Sequence, residues 1–237
     1  MMSSDKARTI VGIFGNVISA CLFLSPLPTF VKIWKDKQVH GFKPDPYVAT
    51  VLNCAMWVFY GLPIVHPDSL LVITINGGGF AIEIIYVTIF LVYAGSAMRK
   101  KICIALLVEV IFLAIVVFIT LTFLHGHKDR SMLVGILCIL FNIIMYISPL
   151  TVMRRVIVTK SVKYMPLTLS LANFANGAIW FAYAFIKLDP YVLIPNGLGT
   201  LSGVVQIFLY VTYYKSTKWD EEDEKTTREV EMPGTNA

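Results

Sequence analysis

Asn53-Cys54-Ala55-Met56-Trp57-Val58-Phe59-Tyr60 returns 123 residues later as Asn176-Gly177-Ala178-Ile179-Trp180-Phe181-Ala182-Tyr183. Both copies keep Asn, Trp and Tyr at i, i+4 and i+7, a spacing that puts an amide, an indole and a phenol on one helix face about two turns long. Outward from this pair the correspondence continues. Ser25-Pro26-Leu27 answers Ser148-Pro149-Leu150, Pro46 answers Pro166, Asp68 answers Asp189, and Asn76-Gly77-x-Gly79 answers Asn196-Gly197-x-Gly199, at separations of 123, 120, 121 and 120 residues. The register slips only in loops. The repeated residues are polar, aromatic and proline rather than generic Leu and Val, so the duplication marks function as well as descent.

Composition gives the setting. Of 237 residues, 57% are hydrophobic and 15% charged, with a mean hydropathy of +0.71, values of a membrane-embedded chain. Seven apolar runs are expected to span, at about Thr9–Ile33, Pro46–Ile64, Leu70–Tyr93, Ile102–Leu124, Met132–Val152, Leu167–Ile186 and Tyr191–Tyr214. Each holds roughly 20 residues, enough to cross the hydrocarbon core. Three spans invert the chain and a fourth inverts it back, so the repeats run parallel about a pseudo-two-fold along the membrane normal. The expected fold is all-α integral membrane, in a 3+1+3 arrangement: residues 1–97 form the first three-helix repeat, 98–128 the linker helix, 129–215 the second repeat and 216–237 an acidic tail.

The formal charge of +5 is not a nucleic-acid signal, because the basic residues sit in short loops between apolar runs, where they set orientation. Lys32, Lys35, Lys37, Lys43, Arg99, Lys100, Lys101, Arg154, Arg155, Lys160, Lys163, Lys215 and Lys218 fall on one side; Lys6, Arg8, Lys128, Arg130 and Lys187 fall on the other. This places the N-terminus outside or in a lumen and the C-terminus in the cytosol. The first apolar run is too long for a signal peptide and lacks a small-residue cleavage site, so it is expected to be a retained span. The tail with Asp220-Glu221-Glu222-Asp223-Glu224 is too polar to pack and is expected to be disordered; Thr226 and Thr227 are candidate phosphorylation sites, with a plain solubilising tail as the alternative. Cys21, Cys54, Cys103 and Cys138 lie in apolar stretches without metal spacing and read as buried small hydrophobes. His40, His66, His125 and His127 read as loop residues. No cofactor, metal site or catalytic constellation is expected, and an enzyme is disfavoured.

Asn76 and Asn196 lie inside apolar spans, where an unsatisfied amide is costly and must face the interior. One alternative is a helix–helix hydrogen bond worth about 0.6–2 kcal/mol. Two amides paired by symmetry with Trp57 and Trp180 favour binding. Aromatic plates beside donor–acceptor amides suit a ligand with apolar C–H faces and vicinal hydroxyls, which describes a sugar.

These residues match a family. The paired proline motifs, Gly41-Phe42 before Pro46-Tyr47, Thr159-Lys160-Ser161-Val162 followed by Tyr164-Met165-Pro166, Thr74-Ile75-Asn76 and Pro195-Asn196 closely resemble the SWEET sugar transporters of plants, within the PQ-loop superfamily. The likeness runs from about Val11 to Tyr214. The superfamily's Pro-Gln pair is absent, with Pro46-Tyr47 and Pro166-Leu167 in its place, which argues against the amino-acid exporters. The resemblance implies that Asn76, Asn196, Trp57 and Trp180 hold the sugar, and that Leu22, Asn53, Met145 and Asn176 line the pocket and set its size. Sucrose-type members tend to carry small Val and Ser there, so the larger set here implies a monosaccharide such as glucose.

The resemblance also implies a gate hinge at Pro26, Pro46, Pro149 and Pro166, since proline removes a helix hydrogen bond and permits a bend. Ordinary proline tolerance in membrane helices is the alternative. At the opposite end it implies a gate around Tyr60, Tyr183 and Asp189, with a possible Tyr183–Asp189 hydrogen bond; an aromatic belt competes for the tyrosines. The same likeness implies homo-oligomers; a plasma-membrane address is expected, with an internal membrane as the alternative.

Glu83 and Glu109 fall within spans three and four, which raises proton coupling. Neither has a repeat partner and neither is expected to share the Asn/Trp face, so both read as structural. The expected activity is energy-independent, bidirectional sugar transport by alternating access. The rivals are a sugar-sensing membrane receptor and a proton-coupled small-solute exporter. A G-protein-coupled receptor is disfavoured by the internal repeat.

Overall fold

The computed structural model describes residues 4–217 and 219. The tail expected to be disordered, with Thr226 and Thr227, lies outside the described residues. Among those described, the chain forms nine helices: α1 (Ser4–Leu24), α2 (Leu27–Asp36), α3 (Asp45–Gly61), α4 (Leu70–Tyr93), α5 (Ser96–Phe123), α6 (His127–Met145), α7 (Ile147–Thr159), α8 (Leu167–Lys187) and α9 (Pro190–Tyr213).

Nine helices make seven spans because two spans are bent. Pro26 has no N–H to offer the Leu22 carbonyl, which accepts instead from the Ser25 N–H at 3.1 Å and the Ser25 hydroxyl at 2.7 Å. The next carbonyl, of Phe23, accepts from the Tyr86 hydroxyl at 3.1 Å. The Leu22 and Phe23 carbonyls at the α1/α2 bend are thus taken up, which helps such a break persist inside lipid. The second repeat breaks at Tyr146, between α6 and α7, with Pro149 in the first turn of α7. Pro46 and Pro166 behave differently. Pro46 stands in the first turn of α3 and Pro166 is the N-cap of α8. A missing N–H leaves nothing unpaired there, so these two prolines start helices rather than bend them.

Six of the spans are long and apolar enough to cross a membrane by length and composition. The exception, α3, has 17 residues, the lower limit for a crossing helix.

The packing pattern survives exchange of the repeats. In the first repeat α4 lies between α1 and α3, and in the second α9 lies between α6 and α8. The ring closes because α1 packs on α8 and α6 packs on α3, so the first helix of each repeat leans on the other repeat. Helix α5 lies outside this ring, against α3, α4 and α6. It exposes Leu107, Val108, Val110 and Phe118, the face expected toward lipid tails. Of the four cysteines, Cys54 and Cys138 are buried as expected; Cys21 and Cys103 instead sit on exposed faces of the bundle.

Close approach holds the ring at matched points. At Gly79 of α4 a Cβ would overlap the Phe23 ring, and at Gly199 of α9 it would lie 2.6 Å from the Tyr146 hydroxyl. Phe23 and Tyr146 are themselves repeat equivalents, 123 residues apart.

Candidate functional site

A cavity of about 340 Å³ lies inside the ring, and all six ring helices contribute to its wall. Ser19, Leu22 and Phe23 come from α1, and Thr50, Asn53 and Trp57 from α3. Helix α4 adds Val72, Ile75, Asn76 and Glu83; α6 adds Asn142; α8 adds Asn176 and Trp180; α9 adds Val192 and Asn196. Seven of the eight pocket residues expected from the sequence meet here. Met145 does not line the cavity: it is 37% exposed, and Asn142, just under one turn earlier, takes the place on the wall.

The two amides are held alike. Asn76 Nδ2 donates to the Val72 carbonyl at 2.9 Å, and Asn196 Nδ2 donates to the Val192 carbonyl at 2.8 Å. Each amide is therefore anchored within its own helix, not bonded to another helix. That anchor leaves the acceptor oxygen and one N–H of each for a ligand. The indoles match as well. Trp57 lies against Tyr60 (centroids 5.4 Å, 81°) and Trp180 against Tyr183 (5.1 Å, 71°), both edge to face. Such pairs are worth about 0.5–1.5 kcal/mol each and fix the ring planes that form the roof.

The symmetry stops at Asn53 and Asn176. Ser19 donates to Asn176 Oδ1 at 2.5 Å and accepts from Trp180 Nε1 at 2.9 Å, a clamp that crosses from α1 to α8. At the equivalent place stand Asn142 and Asn53, and Asn53 Oδ1 is buried without a hydrogen-bond partner.

Glu83 departs from the sequence expectation. It stands seven residues, two full turns, beyond Asn76, which returns it to the same face of α4. It lines the cavity with the Asn/Trp set.

The cavity is shut at one end by buried polar groups. Tyr60 and Tyr183 are 0% and 2% exposed. The partner of Asp189 is Tyr60, in the opposite repeat, whose hydroxyl donates to Oδ1 at 2.8 Å; the Tyr183 bond entertained from the sequence is not formed. The same oxygen caps α9 by accepting from the Tyr191 and Val192 N–H groups at 3.1 and 3.3 Å. Tyr183 instead lies under Arg8, whose guanidinium is 4.2 Å from the ring centre and donates to the Asp68 carbonyl at 2.7 Å.

His66 is part of this closure rather than a free loop residue. It stacks on Tyr60 at 4.7 Å. Ser131 gives its hydrogen to the Val65 carbonyl at 2.7 Å, so His66 Nδ1 is the donor to Ser131 at 2.9 Å. Nε2 then faces Asp189 Oδ2 at 3.3 Å. Burial alone would push the Asp189 carboxyl up, but His66, the Tyr60 hydroxyl and the Val192 amide together hold it below the ordinary 3.8.

At the other end the wall runs down to Thr50 and Glu83, toward the prolines. A cavity walled by both repeats, closed at one end and carrying neutral amides, indoles and one carboxyl suits a small polyhydroxylated ligand that enters and leaves along the ring axis. Sequence reasoning missed Ser19, Asn142, Glu83, His66 and Arg8. Ser19 and Asn142 occupy equivalent positions with different side chains, a signal visible only once the repeats are superposed residue by residue.

Comparison with known proteins follows the same lines. The family described as sugar efflux transporters for intercellular exchange matches residues 9–98 and 132–218. The bidirectional sugar transporter SWEET5 of Arabidopsis thaliana is 64% identical, covering 99% of this chain and 98% of its own length. SWEET4 of the same plant is 57% identical over 94% of this chain and 88% of its own. A solved eukaryotic SWEET transporter superposes with a TM-score of 0.85 at 36% identity, covering 90% of this chain and 99% of the other.

Proposed function

Because this chain belongs to the SWEET family of sugar transporters, we propose that it moves monosaccharides such as glucose down their gradient in either direction. The sugar would sit between Asn76 and Asn196 with its C–H faces against Trp57 and Trp180, walled by Asn53, Asn176 and Leu22. The observation that carries this reading is the cavity of about 340 Å³ built from both repeats, near the lower limit of ordinary ligand pockets of about 300–1,000 Å³. That size favours one ring over two.

Alternating access follows from the ring. The two three-helix units, residues 1–97 and 129–215, rock about the held sugar, with 98–128 as their tether. The two separate stretches matched by the family support this division. The tyrosine end would face outward and the proline end the cytosol, in keeping with the bias of basic residues. The structure would then be an inward-facing state, with Tyr60–Asp189 as the closed outer gate and the Pro26 and Pro149 bends as inner hinges. Pro46 and Pro166, at helix starts, would act as pivots. The family's description as transporters for intercellular exchange supports a plasma-membrane address. The resemblance also supports a homo-oligomer, which mass measurement in detergent would count.

Labelled glucose and sucrose uptake into proteoliposomes without a pH gradient tests the proposal, beside Asn76→Ala. Glucose flux cut at least tenfold by the substitution, with little sucrose flux, is expected. Equal sucrose flux would overturn the monosaccharide preference; no flux of either sugar from folded protein would overturn transport. A proton-coupled exporter draws its support from Glu83 in the cavity, and predicts flux that collapses without the gradient.

A further inference from the structure

Among the described residues, Glu83 is the one ionisable side chain on the cavity wall. Its side chain is buried, with 5% of the residue exposed, and Oε2 has no hydrogen-bond partner. Tyr47, Cys54 and Tyr86 feel its charge and none of them is a cation, and among the described residues no ion pair with Glu83 is formed. A buried carboxyl with an unpaired oxygen is costly to keep; Glu109 Oε2 is unpaired too but lies off the cavity wall, so it is the opening of Glu83 onto the cavity that points to a ligand as its partner. The second repeat offers no equivalent. Glu83 maps onto Gly203, where a Cβ would press on the Cβ and backbone of Phe174, so α9 lies close against α8 there. One repeat thus carries a carboxyl and the other a packed helix contact.

We propose that Glu83 is a substrate-contacting residue, a hydroxyl acceptor on the proline side of the cavity that fixes which end of the sugar leads. This rests on the transport reading above. Asn76 and Glu83 are two turns apart on one face of α4, about 10 Å along the axis. A pyranose held at the amides therefore reaches the carboxyl with one edge, or passes it on the way out. A carboxylate oxygen takes hydroxyl hydrogens more strongly than an amide does. The otherwise two-fold pocket thereby becomes polar along its length, and the sugar has a preferred direction within it.

Sugar exchange into proteoliposomes, with equal pH on both sides, compares wild type with Glu83→Gln using glucose and its single-deoxy analogues as competitors. The amide keeps the shape of the side chain, and thermal unfolding of the purified variant is followed in parallel. One deoxy position should lose about tenfold in competition against wild type and clearly less against E83Q, while the other positions lose equally in both. A merely structural Glu83 would lower flux without changing that pattern, and an unchanged pattern overturns the proposal. A second measurement needs no variant: saturating glucose should slow labelling of Glu83 by a hydrophobic carbodiimide and leave Glu109, a carboxyl off the cavity wall, unaffected. Equal protection of both, or of neither, overturns it. Wild-type protein that exchanges no monosaccharide fails at the transport reading instead, which separates the two.

Discussion

Where α1 meets α8, Ser19 gives a hydrogen to Asn176 and takes one from Trp180; where α6 meets α3, Asn142 stands in the place of Ser19 and Asn53 Oδ1 has no partner. The tyrosine end is likewise uneven: Tyr60 donates to Asp189, whereas its equivalent Tyr183 lies beneath Arg8. At the proline end, Phe30 stacks on Tyr86 at 4.0 Å and packs on Tyr47 and Phe90, while the second repeat gathers Met153, Val156, Val162, Met165 and Leu209. Helix contacts, the two amide anchors and the Trp–Tyr pairs are shared between the halves, but the hydrogen bonds across the repeat interface and the aromatic stacking at the proline end are not. Duplication preserves what sets backbone spacing, and side-chain chemistry is free to diverge wherever the partner lies across the interface.

The equivalent acids Asp189 and Asp68 give the sharpest test. Asp189 is buried and accepts from Tyr60 and two backbone amides; Asp68 is exposed and meets Lys187 at 3.3 Å. Asp189→Ala should cost about 2–4 kcal/mol in thermal or denaturant unfolding, the sum of a lost cap and stranded donors. Asp68→Asn should stay within about 0.5 kcal/mol. Acid separates them too. Because the folded Asp189 carboxyl is held below 3.8, its contribution is complete above that value and fades as pH falls through the lower folded one. Accessibility of a cysteine probe at the tyrosine end should therefore be flat through neutral and mildly acidic pH and rise only below about pH 4.

The glycine pair tests the shared half of the comparison. Gly79→Ala and Gly199→Ala should each cost about 1–3 kcal/mol by unfolding, because the added methyl must displace Phe23 or the Tyr146 hydroxyl. Tyr146 donates to the Pro195 carbonyl at 2.7 Å, so Gly199→Ala strains a hydrogen bond that Gly79→Ala does not. Equal costs would show that packing outweighs that bond.

Smaller effects separate the two Asn positions. Ser19→Ala should lower stability by about 1 kcal/mol and also raise the KM for sugar severalfold, since it frees Trp180 and Asn176 together. Asn53→Ala should raise KM with little change in Tm, its acceptor having no protein partner to lose. The smallest effect is expected at Lys187→Ala. Its contacts with Asp5 at 2.9 Å and Asp68 at 3.3 Å are largely exposed, so the change should be under about 1 kcal/mol and vanish in high salt.

The sequence made the fold legible because the seven runs, the paired Ser-Pro breaks and the constant separation of repeated residues are all local signals. Asn76, Asn196, Trp57 and Trp180 were legible for the same reason, as identical residues at equivalent positions. Ser19 and Asn142 were not, since the repeat comparison looked for sameness and the site there depends on difference. Glu83 was passed over for having no counterpart, although its two-turn distance from Asn76 already placed it on the same face of the helix as Asn76. The Tyr60–Asp189 bond joins residues 129 apart in opposite repeats, and no periodicity reports such a pairing. Pro46 and Pro166 were grouped with Pro26 and Pro149 as hinges, although the apolar runs already began at Pro46 and Leu167, where a proline starts a helix and does not bend one.

Helix α5 lines no part of the cavity and belongs to neither repeat. Its task is to return the chain to the starting side with a surface that lipid accepts. In a deep mutational survey it should tolerate more apolar exchanges than any ring helix, with intolerance confined to buried Ile102, Val116 and Thr120. Selection would then read most of this helix as a length and a hydrophobicity, and the six ring helices as a spelling.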